Sequence, residues 1–130
     1  MPELAPGLSA EFEHVVTDAD TASQWGSGGL PVFSTPALVG LMESTAVIAL
    51  RGALPPGQTT VGGRIDVHHL AATPVGMKVR ARAELTAIEG RKLVFKVQAW
   101  DEVELIGEAS HDRFVIDEAR FMAKVGAKTK

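Results

Sequence analysis

Three residues have the types and spacing to do chemistry together: Thr35, Glu43 and His69. Glu43 is the one charged side chain between position 35 and Arg51, in a segment otherwise rich in Leu, Val, Ile, Ala and Met. A carboxylate in apolar surroundings must find a partner or keep its proton, and either condition is unusual enough to point to function. In a dry pocket it can act as a nucleophile or as a general base. The plain alternative is a carboxylate at a subunit interface or solvent gap, paired with an arginine, and the residue types alone leave the two even. His69 can serve as a general acid or base; for an isolated histidine, a core role with a backbone carbonyl as partner is the commoner one. Thr35 can donate to a substrate oxygen or attack, although simple N-capping of a helix explains a threonine there more often.

The elements that must position these residues follow from periodicity. The segment 33–52 reads as one helix, with Thr35 as N-cap, Pro36 at the first helical position, and Gly52 followed by Pro55 and Pro56 as the stop. Apolar residues fall on nearly every side of it, which predicts a helix wrapped by other structure. Its N-terminus also offers free N–H groups and the positive end of the dipole to an oxyanion. Alternation predicts strands over 9–17, 59–72, 77–88, 92–100 and 104–116. In the second of these, Ile65, Val67 and His69 share one face and Arg64, Asp66 and His68 the other, so the adjacent histidines part company. Gly62 and Gly63 interrupt that strand, where a bulge or a close backbone approach is expected. Residues 18–32 read as a loop, with Trp25 expected to fold onto the core rather than to serve as a lid. Glu89-Gly90-Arg91 predicts a hairpin turn. Asp117 is positioned to cap a short C-terminal helix containing Phe121, Met122 and Val125.

The resulting layout is α+β: an antiparallel sheet wrapped around one long central helix, in a single domain over 1–130. That is the layout of the hotdog fold. Composition narrows the function. Net charge is −3 with no basic stripe, which argues against nucleic acid. There is no cysteine, hence no disulfide or thiol chemistry. No signal peptide or membrane span is visible, so a cytoplasmic protein is expected. His14, His68 and His111 lack metal-ligand spacing, and no metal is expected. Gly26-Ser27-Gly28-Gly29 lacks the Lys and Ser/Thr of a phosphate loop. Arg80, Arg82, Arg91, Lys92 and Lys96 form a basic patch that can meet coenzyme A phosphates but reads first as a solvated face.

Three segments, Phe33-Ser34-Thr35, Val39-Gly40-Leu41-Met42-Glu43 and His69-Leu70-Ala71-Ala72-Thr73-Pro74, resemble the signature segments of the fluoroacetyl-CoA thioesterase family of hotdog proteins. Further matches are Ala83-Glu84-Leu85 with Glu89-Gly90-Arg91, Glu104-Leu105-Ile106-Gly107, and Phe121-Met122-Ala123-Lys124-Val125. The resemblance spans roughly 33–128, and its specificity lies in the order and spacing of the segments. It implies hydrolysis of a small or medium acyl-CoA thioester, with Thr35, Glu43 and His69 as catalytic residues. It also implies a backbone N–H of Gly62 on the thioester carbonyl, no cofactor beyond the coenzyme A of the substrate, and a homodimer or larger homo-oligomer. The sequence departs from the family before the helix. The fluoroacetyl-selective member carries lid phenylalanines there, and this chain has Gly28-Gly29-Leu30 with Trp25 nearby. Thioesterase activity therefore carries over better than fluoroacetyl selectivity.

A rise of about 1.5 Å per helical residue sets Thr35 and Glu43 about 12 Å apart along one helix. One site is therefore expected to draw on both subunits, or the helix to start later than Thr35. Two other functions fit the same fold. A hydratase or dehydratase acting on enoyl-CoA needs an Asp and His together, and Asp66 lies on the wrong face for His69. A non-catalytic acyl-CoA or small-ligand binding module keeps the fold without turnover.

Overall fold

The computed structural model describes residues 2–129. Five strands form one antiparallel sheet: β1 (Ser9–Val15), β2 (Gln58–His69), β3 (Lys78–Glu89), β4 (Lys92–Trp100) and β5 (Leu105–Asp117), in the spatial order β1-β3-β4-β5-β2. β1 and β2 are therefore its edges. β3 and β4 form the expected hairpin, closing on the pair Glu89↔Lys92 with Gly90 at φ +65° in the turn. The β4–β5 turn is held by Asp101, whose carboxylate accepts from the backbone N–H groups of Val103 and Glu104 and from the Thr73 hydroxyl.

The central helix α2 (Thr35–Ala49) lies on the inner face of the sheet, packed mainly on β1 and β3. Its buried side chains, Leu38, Leu41, Met42, Thr45, Ala46 and Ala49, follow the i, i+3, i+4 spacing of one helical face. They meet Val79, Ala81, Ala83 and Leu85 of β3, Leu93, Phe95 and Val97 of β4, and Ile106 of β5 in one core. Burying each large aliphatic or aromatic side chain contributes about 1.5–3 kcal/mol, and these make the framework stiff. Gly107 lets the helix come down onto β5: a Cβ there would stand 2.9 Å from Leu38 Cδ2 and 3.2 Å from Met42 Cε.

The helix is not wrapped all round. Gly40, Ser44 and Val47 share an exposed face, because a sheet of five strands covers one side of a helix and leaves the other open. Its start also differs from expectation. Ser34 is the N-cap, with extended backbone and an Oγ that accepts from the Ala37 N–H, so Thr35 and Pro36 fill the first two helical positions. The hydroxyl of Thr35 is thereby released from capping. The helix stops at Leu50, and Gly52 turns the chain at φ +77°.

One segment gains structure that local pattern did not predict. Residues 18–32 contain a 3-10 turn, Asp18–Asp20, and a short helix α1 (Ala22–Trp25) capped by Thr21. Trp25 does not fold onto the core; it is 55% exposed at the end of α1, because the following Gly26 ends the helix and turns the chain outward. At the other end, Asp117 caps α3 (Glu118–Gly126), accepting from the Arg120 N–H as expected. No helix among the described residues is long and apolar enough to cross a membrane.

Candidate active site

The four residues singled out in the sequence fall into two pairs. The first pair is Thr35 and His69. The backbone just before α2 is pinned on both sides: Phe33 N–H donates to Thr73 O at 2.9 Å and Ser34 N–H to Asp20 O at 2.9 Å. Thr35 is therefore fixed in place, and its Oγ1 lies 2.8 Å from His69 Nδ1. His69 ends β2, on the face shared with Ile65 and Val67, so the strand alternation turns the imidazole toward the helix N-terminus. The second ring nitrogen, Nε2, is buried and has no hydrogen-bond partner among the described residues. Burial pushes the imidazole below its ordinary pKa, against a smaller upward pull from the Ala71 backbone. A neutral ring facing a hydroxyl can pass a proton in either direction. A shallow pocket of about 320 Å³ opens beside the pair, lined by Val32, Phe33, Leu70, Ala71 and Ala72.

The second pair is Glu43 and Gly62. Glu43 Oε2 rests against the Gly62 backbone so closely that a Cβ on residue 62 would stand 2.7 Å from it. The close approach expected at this glycine is thus an approach of the Glu43 carboxylate. The bulge is present too: the β2–β5 register shifts between Gly62 and Arg64, which leaves Gly63 unmatched. The Phe114 ring lies over Gly63, where a Cβ would meet it.

Behind Glu43 stand two residues that the sequence reading passed over, His111 and Arg113 of β5. Arg113 Nη1 is 3.4 Å from Glu43 Oε2, and His111 Nε2 is 4.0 Å from it. The Glu43 carboxylate is 42% exposed, whereas His111 and Arg113 are 1% and 7% exposed. A signal for them existed. Beyond the irregularity at Ile106, the inward face of β5 runs Gly107, Ala109 and then continues by alternation to His111 and Arg113, two polar residues in apolar positions. The plain alternative for Glu43, pairing with an arginine, is thus realised, and within its own chain. A groove of about 580 Å³ leads from Glu43 and Arg113 along the open helix face past Ser44 and Val47, with Phe12 of β1 on its other wall.

Thr35 and Glu43 are not hydrogen-bonded to each other, and neither are Glu43 and His69. The remaining candidates resolve as surface. Asp66 is exposed beside Arg64 at 3.8 Å and His68 at 3.5 Å, away from His69, so the carboxylate that a hydratase needs is absent from this imidazole. The basic patch is largely paired: Arg80 with Glu11 at 2.9 Å and stacked 4.5 Å from the Trp100 ring centre, Arg82 with Glu84 at 2.9 Å, and Lys92 with Glu89 at 3.5 Å. Among the described residues no three His, Asp or Glu side chains gather in a way that could hold a metal.

Comparison with known proteins agrees with this architecture. The family model described as fluoroacetyl-CoA-specific thioesterase matches residues 16–119. The fluoroacetyl-CoA thioesterase of Streptantibioticus cattleyicolor is 47% identical over 98 residues, covering 75% of this chain and 70% of that protein. A crystal structure of the fluoroacetyl-CoA thioesterase FlK superposes with a TM-score of 0.91 at 37% identity, over 99% of this chain and 100% of that one. A Thermus thermophilus thioesterase superfamily member gives a TM-score of 0.91 at 28% identity, over 99% and 96% of the two chains.

Proposed function

The chain belongs to the fluoroacetyl-CoA-specific thioesterase family and is a hotdog-fold acyl-CoA thioesterase; from that premise we propose that it hydrolyses a small or medium acyl-CoA at a site built from Thr35, Glu43, His69 and Gly62, with each site shared between two subunits of a homodimer.

The observation that carries this reading is the separation of two chemically incomplete pairs along the same edge strand. Thr35 with His69 can move a proton but supplies no carboxylate. Glu43 with Gly62 supplies a carboxylate and a backbone N–H, but the neutral His111 beside it has both ring nitrogens engaged by Arg113 and the Arg64 carbonyl and is not free to move a proton. The two pairs lie about 12 Å apart along α2 and about 23 Å apart along β2, at 1.5 Å per helical and 3.3 Å per strand residue. β2 is an edge with free backbone groups, the kind of edge that pairs with another chain. Antiparallel pairing of β2 with its own copy, centred between Ile65 and Asp66, sets His69 opposite the partner's Gly62. A two-fold axis makes two such meetings at once. The same axis runs α2 against its copy in the opposite direction and covers the open face of Gly40, Ser44 and Val47.

In the assembled site the Gly62 N–H polarises the thioester carbonyl, the role that family resemblance gives it. The Glu43 carboxylate attacks the carbonyl carbon, or takes a proton from the water that does. By either route one water is consumed, the C–S bond breaks, and the acyl group leaves as the acid. His69, oriented by Thr35, takes up a proton that originates from the consumed water and relays it to the departing coenzyme A sulfur. The segment before α2 carries Gly28-Gly29-Leu30 and an exposed Trp25, so the acyl group is one that needs no phenylalanine lid.

The test is thiol release, followed with a thiol-reactive dye, from acetyl-, fluoroacetyl-, butyryl- and phenylacetyl-CoA. Wild type, Glu43→Gln and His69→Ala are compared. Release that is abolished in both variants supports the site. Turnover that persists in either variant overturns it. No release from any of the four by the folded wild type, with binding retained, would favour the binding-module reading.

A further inference from the structure

The unusual feature that the reaction does not absorb is a buried cation. Arg113 sits in the sheet face against the helix, nearly shut off from solvent, and each of its three guanidinium nitrogens is engaged. Nε donates to Thr60 Oγ1 at 2.9 Å and Nη2 to Thr60 O at 3.2 Å. Nη1 lies 3.1 Å from His111 Nε2 and 3.4 Å from Glu43 Oε2. The proton on His111 can be assigned from these contacts. Arginine only donates, so His111 Nε2 must accept, and the ring proton is on Nδ1, which donates to Arg64 O at 2.8 Å. The imidazole is neutral, and it steers Nη1 without competing for the negative charge.

We infer that Arg113 is a positioning residue for Glu43: Thr60 and His111 lock its guanidinium so that one face of the fork holds the Glu43 carboxylate against Gly62. Glu43 is the only carboxylate that Arg113 meets among the described residues. Burying a guanidinium costs several kcal/mol after relaxation, so a buried arginine is a poor device for stability alone. An apolar residue would fill the same slot beside His111 at lower cost. What the cation adds is a fixed direction for a carboxylate that is 42% exposed and otherwise free to swing into the groove. Thr60 and His111 fix the fork at three points, which a lysine could not use, since its ammonium has no planar geometry.

This inference rests on Glu43 being the reacting carboxylate, and the experiment separates the two. Steady-state thiol release is measured for Arg113→Met, Arg113→Lys, Arg113→Ala with and without added guanidinium, Thr60→Val and Glu43→Gln, each with a thermal melt, using the acyl-CoA that the wild type turns over fastest. The expected result for Arg113→Met is a kcat tenfold to a hundredfold lower with KM within about twofold of wild type. Arg113→Lys recovers little of that loss. Arg113→Ala regains part of its kcat when millimolar guanidinium is added. Thr60→Val, which keeps the charge but frees Nε, shows a smaller fall in kcat at unchanged KM, and it serves as the test where Arg113 variants fail to fold. Wild-type kcat in folded Arg113→Met or, failing that, in Thr60→Val overturns the positioning role while leaving Glu43 in place. Turnover surviving in Glu43→Gln removes the premise itself.

Discussion

Thr35 Oγ1 and His69 Nδ1 lie 2.8 Å apart, joining the first turn of the central helix to the last residue of the edge strand β2. The contact exists because Ser34 takes the capping role and leaves the next hydroxyl unoccupied. Removing the hydroxyl should therefore cost activity rather than helix stability. Thr35→Ala is expected to lower kcat about a hundredfold or more while the melting temperature stays close to wild type, and Thr35→Ser should keep most of the activity. Equal losses for Ala and Ser would show that the hydroxyl is not the working group.

The proposed sharing of the site between subunits makes a sharp prediction for mixtures. Glu43→Gln and His69→Ala are each expected to be inactive alone. After subunit exchange, a heterodimer carries one site with both lesions and one with neither. Equal mixing should return about a quarter of wild-type turnover, since half the dimers are mixed and each has one intact site of two. A mixture as inactive as its components, with exchange demonstrated by mass, would place all four residues in one chain.

Gly62→Ala tests the second pair. The added methyl group would stand 2.7 Å from Glu43 Oε2, the mobile end of a flexible side chain, so the carboxylate gives way and the fold does not. Turnover should fall at least tenfold with little change in melting temperature. Gly107→Ala is the contrasting case. Its methyl group meets Leu38 and Met42 inside the core, where nothing can move freely, and it should destabilise the protein by about 1–3 kcal/mol in a denaturant titration.

His111 gives the fold a pH dependence. Burial pushes its pKa below 6.5, with the nearby Arg113 charge adding to the effect and the Arg64 carbonyl, Glu43 and Asp112 opposing it. The unfolded chain therefore binds a proton at a higher pH than the native one. Stability contributed by the neutral ring is complete above about pH 6.5 and is lost as the pH falls from there toward the depressed native value. His69, also lowered, acts in the same direction. Asp20 and Asp101, whose pKa values lie below 3.8 in the native state, keep their contribution until more acid conditions. Melting temperature should fall between pH 7 and pH 5, and His111→Gln should flatten that slope. An unchanged slope in the variant would remove His111 as its source.

Periodicity and punctuation were enough to read the α+β layout from the chain. A helix that is apolar over most of its surface, five alternating segments and short turns at Gly90 and Asp101 are local features, written in neighbouring residues. The separation of His68 from His69 follows from the two-residue repeat of a strand, and the Asp117 cap from the chemistry of a side chain beside its own helix. Which of two adjacent hydroxyls caps α2 lay outside local pattern: Ser34 and Thr35 are both good caps, and the choice falls to backbone bonds from Phe33 to Thr73 and from Ser34 to Asp20, far apart in sequence. Trp25 stays at the surface because Gly26 turns the chain, although its size favoured burial. The cluster of Thr60, His111 and Arg113 behind Glu43 was visible only as two polar residues on an inward face. What they do there depends on β2 lying beside β5 and on α2 crossing both, a pairing over some fifty residues that no local window contains. Sequence by itself determined the elements and the reactive groups they carry, because periodicity and capping are short-range. Only the tertiary structure decided which groups meet, because side chains remote in the chain are brought together by sheet order and helix packing.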